Sequence, residues 1–127
     1  MNSPKPSLSQ AALDTAAGGD FSYVLADFLD AFYRAPDAAM LADAPDLLAG
    51  KVERGAAWDA FLGATAESLA RRHGWPVPAW STRPERGLHE PFFPIQSAAF
   101  RATLLLESPV EFRSRNLFVT ANALSRA

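Results

Sequence analysis

Residues 75–94 read Trp-Pro-Val-Pro-Ala-Trp-Ser-Thr-Arg-Pro-Glu-Arg-Gly-Leu-His-Glu-Pro-Phe-Phe-Pro and hold five of the chain's ten prolines. Proline has no backbone N–H, fixes its own φ and restricts the residue before it, so neither an α-helix nor an inner strand runs through this stretch. Four of its residues, Trp75, Trp80, Phe92 and Phe93, are large aromatics, and a solvated linker is poor in those. A structureless segment of this length is unusual inside a compact domain. The stretch therefore predicts a strap in extended or polyproline geometry, pinned by its aromatics to a body built from the rest of the chain.

The rest of the chain reads as helix. Twenty-five of the 127 residues are alanine, the residue with the best helix propensity. Asp20 is a good N-cap, and Phe21, Val24, Leu25, Phe28, Leu29, Phe32 and Tyr33 follow it at the spacing of one helix face. Pro36 ends that helix near Arg34. Over 56–73, Trp58, Phe61, Leu62, Thr65, Ala66, Leu69 and His73 share a face, and Gly74 suits the left-handed position that closes a helix. Ser97 is placed to cap a third helix to about Glu107, apolar on most sides and so expected at the centre. Ser108-Pro109-Val110-Glu111 reads as a capping box opening a short helix that ends near Asn116. Ser7 or Ser9 can cap a first short helix, and a further short one is expected over Asp37–Asp43. Pieces near Leu88–Phe93 and Leu117–Val119 are extended enough to pair.

The expected fold is all-α: a single-domain bundle of four to six helices with the strap laid across it. Residues 1–19 read as a flexible N-terminus with a possible short helix, and 20–127 as the helical domain. Helices 20–34, 56–73 and 97–107 form the expected core, with Phe28, Leu29, Phe61, Leu62, Leu69, Leu105 and Phe112 buried.

Charge is unevenly spread. Residues 1–50 carry two cations and seven anions; residues 51–127 carry ten cations and seven anions. The net −2 argues against indiscriminate nucleic-acid binding. There is no cysteine, which excludes disulfides and thiolate chemistry. No apolar run has the roughly 20 residues needed to span a bilayer, and the first residues lack the apolar core of a signal peptide, so the expected location is cytoplasmic.

Catalytic patterns are missing. His89-Glu90 is followed by Pro91 and Phe93, where a zinc-protease helix needs a second histidine. Neither a nucleophile elbow, a phosphate loop nor a dinucleotide fingerprint occurs, and two histidines, His73 and His89, leave little for acid–base work. No metal and no cofactor is expected. Asp27, Asp30, Asp37, Asp43 and Asp46 read as a solvated face. Arg113 and Arg115 follow Phe112; they either tie the C-terminal helix to Glu90 or Glu107 or meet a partner. The strap aromatics are either satellite core or binding hot spots.

Val77-Pro78-Ala79-Trp80, Glu90-Pro91-Phe92-Phe93, the block Leu106 to Val119 and Asn122-Ala123-Leu124-Ser125-Arg126 together resemble a group of bacterial all-helical modules. The resemblance covers about 56–127 and, more loosely, 20–55. In longer members a helix-turn-helix domain precedes a similar module, and these proteins look like antitoxin or regulatory partners encoded beside nucleotidyltransferase-like toxins. Residues 1–127 depart from that longer pattern, and no helix-turn-helix domain is expected within them. The resemblance thus implies a non-catalytic, partner-binding role toward a cognate protein, with Trp75, Trp80, Phe92, Phe93, Arg113, Arg115 and Asn116 as the candidate contact residues. Two other readings stand beside it. One is a nucleic-acid-binding module using Arg101, Arg113, Arg115 and Arg126; the other is a small enzyme or ligand-binding protein with a pocket under the strap.

Overall fold

The computed structural model describes residues 6–94 and 98–126. It is all-α, with six α-helices among the described residues: α1 (Leu8–Ala16), α2 (Phe21–Arg34), α3 (Ala39–Ala42), α4 (Gly55–Arg72), α5 (Ala98–Glu107) and α6 (Val110–Arg113). Local chemistry sets the ends. The Ser7 hydroxyl accepts from the Gln10 amide, and the Asp20 carboxylate accepts from the Ser22 and Tyr23 amides. Asp37 does the same for Ala39 ahead of α3. Gly74 closes α4 at φ 69°, and Asn116 takes the left-handed conformation at φ 62° just after α6. The Ser97 cap expected for α5 lies outside the described residues.

α4 is the axis of the molecule. Thirteen of its residues, from Gly55 to Ala70, are buried, and they lie on every side of the helix. Small side chains (Ala57, Ala60, Gly63, Ala64, Ala66 and Ala70) let other segments approach from all directions. On one side lie Phe21, Leu25, Phe28, Leu29 and Phe32 of α2, forming one core cluster with Leu62 and Leu69. Phe21 stacks on Trp58 at 4.5 Å, and Phe61 meets Phe112 edge-on at 4.9 Å. Phe61 is thus half-buried rather than enclosed. α1, the short helix expected in the first nineteen residues, packs on α2 and α3 and brings Leu8 and Ala12 into the same cluster.

The strap crosses the other side of α4. It is not featureless: Ala79–Thr82 and Pro84–Arg86 form short 3₁₀ turns, and both pack on α4. Its far end pairs with the C-terminal segment through one parallel bridge, Phe92 to Leu117. The Phe92 amide donates to the Asn116 carbonyl at 2.8 Å, and the Phe118 amide donates to the Phe92 carbonyl at 3.0 Å.

Two expectations are corrected. α5 is not central. Leu104 is buried, but Leu105 is 45% and Leu106 82% exposed. The centre is taken by α4, whose small residues accept neighbours on both sides; a run of bulky leucines cannot, so α5 lies outside with one leucine turned in. Ser108 does not cap α6 either; Pro109 holds that position and makes no side-chain cap. The Ser108 hydroxyl is buried between two segments instead. It accepts from the Val119 amide at 2.7 Å, and its single proton has the carbonyls of Leu104 (2.7 Å) and Val119 (2.9 Å) as alternative acceptors. Satisfying a buried amide outweighs capping a helix one turn long.

Candidate functional site

The strap side of α4 carries the molecule's buried charges. At Gly63 an added Cβ would fall 2.9 Å from the Ser81 carbonyl oxygen and 3.0 Å from the Arg86 Cβ, so only glycine lets the strap backbone seat this closely. Two polar nodes flank that contact point.

The first node joins Asp59 to Arg86. Asp59 is 1% exposed, and its carboxylate accepts from the amides of Leu48 (2.7 Å) and Ala49 (3.0 Å), ordering the segment before α4. Arg86 is 4% exposed; its guanidinium lies over the Trp80 ring at 4.9 Å and donates to the Pro45 carbonyl. Its Nη1 stands 3.8 Å from Asp59 Oδ1 and has no hydrogen-bond partner. Burial pushes the Asp59 pKa above its ordinary value, against the pull of the two amides and of Arg86. Burial also pulls Arg86 down, against the attraction of Asp59.

The second node is built on Glu67. Oε1 accepts from Arg115 Nη1 and Oε2 from Arg71 Nη2, both at 2.8 Å. Arg115 also donates to the Glu111 carbonyl and, through Nη2, to the Ser81 carbonyl at 2.7 Å. One guanidinium therefore ties α4, the strap and the α6 segment together. Between the nodes opens a cleft of about 320 Å³ lined by Glu67, Thr82, Arg83, Arg86, Ser114 and Arg115 among others.

The candidate contact residues divide between inside and surface. Trp80 is buried and donates its indole N–H to the Leu41 carbonyl at 2.9 Å. Trp75 is half-buried, stacked on His73 at 4.5 Å and edge-on to Phe32. Phe92 lies edge-on to Trp58, and Phe93 stacks on Phe118 at 5.1 Å. Asn116 donates its side-chain amide to the Leu88 carbonyl. Arg115 is tied to Glu67, where the sequence suggested Glu90 or Glu107. Arg113 is exposed. The aromatics are thus spread along the strap's attachment to the body and form no single surface patch.

The arginines of the nucleic-acid reading are dispersed in the same way. Arg115 is buried in its ion pair, and Arg126 pairs with Asp30 at 2.9 Å. The hydrogen bond to Arg126 lowers the Asp30 pKa, and the same bond raises that of Arg126. The side chain of Arg101 lies outside the described residues. Among the described residues no group of three or more His, Asp or Glu is placed to hold a metal ion, and no helix is long and apolar enough to cross a membrane.

Asp59, Glu67 and Arg86 escaped the sequence reading. Asp59 and Glu67 fall off the apolar face of 56–73 and so read as solvent-facing. The signal that does exist is the alanine and glycine density on that second face, which marks a close approach by another backbone. Among the described residues, large apolar side chains are exposed singly at Leu13, Tyr23, Tyr33 and Leu47, and close together in sequence on α5 and at the start of α6: Leu105, Leu106 and Val110, the last at 53%. Comparison with protein-family models, with curated proteins and with solved structures finds no match.

Proposed function

We propose that this chain is a non-catalytic protein-interaction subunit that neutralises a cognate toxin of nucleotidyltransferase-like type. The observation that carries the reading is the exposed apolar run Leu105, Leu106 and Val110. Large apolar side chains left exposed close together in sequence are typical of a face that meets another protein. The buried charges support the same reading from the other direction. Asp59, Glu67, Arg86 and Arg115 are engaged in holding the strap to α4, which is structural work. The occupant of the apolar face is the toxin, as the resemblance of the C-terminal half implies, and the location is cytoplasmic.

The test is co-expression with the product of the adjacent gene. The neighbour alone arrests growth, and growth returns when this chain is supplied; the two co-purify. Leu106→Glu breaks the complex and abolishes rescue while leaving the fold's thermal transition in place, because Leu106 is 82% exposed. A neighbour that is harmless alone, or that never co-purifies with this chain, overturns the proposal.

A further inference from the structure

The cleft between the two polar nodes carries more positive charge than its own carboxylates balance. Arg83, Arg86 and Arg115 line it, against Glu67 alone. Adding the charges behind the lining, Arg71, Asp59 and Glu85, the last of which attracts Arg86 from the neighbouring position, leaves an excess of one positive charge. Glu67 has nothing left to offer, since each of its oxygens already accepts from a different arginine. The guanidinium of Arg83 is exposed at the rim and has no hydrogen bond or ion pair among the described residues. Arg115 uses three of its five N–H groups on Glu67, Glu111 and Ser81. This concentration sits in a chain whose overall charge is −2.

Rigidity separates the cleft from an ordinary basic surface. Arg86 and Arg115 are 4% and 7% exposed, and each is held from at least two sides. Guanidinium groups fixed before a ligand arrives lose little freedom when it binds, and their forks suit tetrahedral oxyanions. The volume, about 320 Å³, lies at the small end of the range for ligand pockets, about 300–1,000 Å³.

We propose that this cleft, floored by Arg86 and Arg115 and gated by Arg83, binds a phosphate dianion, either free or as a small phosphomonoester. Its oxygens meet Arg83 at the rim and the N–H groups that Arg115 leaves unused, while Glu67 stays neutralised by its two arginines. The inference does not depend on a protein partner and stands or falls separately from that reading.

The experiment is a titration of the full-length ¹⁵N-labelled chain with inorganic phosphate near neutral pH, followed by amide NMR at constant ionic strength. Saturable shifts confined to Thr82–Gly87 and Ser114–Arg115 are expected. Arg83→Gln weakens the affinity about tenfold, the scale of a lost hydrogen bond to a charged group. This change leaves the fold intact because Arg83 is exposed, and Arg113→Gln, outside the cleft, leaves the affinity unchanged. A parallel titration with phenyl phosphate separates the sources. Tighter binding than inorganic phosphate assigns the cleft to an ester, and weaker binding assigns it to the free ion. Shifts that fail to saturate, that spread over all the surface arginines, or that persist unaltered in Arg83→Gln overturn the proposal.

Discussion

Asp59 and Asp30 are both paired with arginine, yet their surroundings act on them in opposite directions. Asp59 is buried, and burial raises its pKa although two amides and Arg86 favour the charged form. Asp30 is exposed and its bond to Arg126 lowers its pKa. The consequences for stability have opposite signs. A carboxyl whose folded pKa is raised binds its proton more readily in the native state, so its contribution improves as pH falls through the window above the ordinary value. A carboxyl whose folded pKa is lowered stabilises the fold above its ordinary value, and that contribution is lost as pH falls below it. Denaturant unfolding of the wild type, Asp59→Asn and Asp30→Asn across the acid range reads this directly. The advantage of the wild type over Asp30→Asn shrinks toward low pH. The pH-dependent part of its difference from Asp59→Asn moves the other way, in favour of the wild type. Parallel profiles for the two variants would show that Asp59 is solvated. Asp59→Asn also lowers stability at neutral pH by about 3–5 kcal/mol, the cost of breaking a buried pair from one side.

At the level of elements, the division of labour between α4 and α5 decides what a leucine is worth. Leu69 lies on α4 with no exposed surface, whereas Leu106 on α5 is 82% exposed. Leu69→Ala is expected to cost about 2–5 kcal/mol, and Leu106→Ala to stay within about 0.5 kcal/mol, both measured by urea unfolding. Equal costs would restore α5 to the centre. Periodicity made α2 and α4 legible, and capping chemistry made their ends so: Asp20, Ser7, Gly74 and Asn116 all act where their residue types suggest. All-α class, the pinned strap and the contact between Phe92 and Leu117 follow from the same local signals. What escaped is what depends on tertiary layering. Leucines at 104–106 carry the same hydropathy, and only the neighbours determine that Leu104 alone turns in. Ser108 has a capping box around it, but the Val119 amide, eleven residues away, claims its hydroxyl. Asp59 and Glu67 look solvent-facing because periodicity detects one buried face, and α4 has a second one, covered by the strap. Most of the candidate contact residues were recognisable as anchors for the same reason that they were noticed: aromatic rings in a proline-rich segment find a surface to pack on.

Across the whole molecule, the acidic first half and the arginine-rich second half do not behave as separate units. Hydrogen bonds join them at several points far apart in sequence. Trp80 donates to the Leu41 carbonyl, Arg86 to the Pro45 carbonyl, and the Tyr33 hydroxyl to the Leu124 carbonyl at 2.7 Å. Asp59 holds the amides of Leu48 and Ala49. Apolar contacts follow the same pattern, since Phe28, Leu41, Leu62, Phe112 and Leu124 belong to one cluster. Neither half keeps a closed core without the other: removing the second half exposes α2's apolar face, and removing the first uncovers one side of α4. The chain is therefore expected to unfold in urea as one cooperative transition, with a slope of about 1–3 kcal/mol per molar. Two probes make this a strict test. All three tryptophans, Trp58, Trp75 and Trp80, lie in the second half, whereas circular dichroism also reports α1, α2 and α3. Coincident curves from fluorescence and ellipticity are the expected outcome. An ellipticity loss that precedes the fluorescence change would mean that the acidic half melts on its own, and that the bonds to Leu41, Pro45 and Leu124 contribute too little to couple the halves.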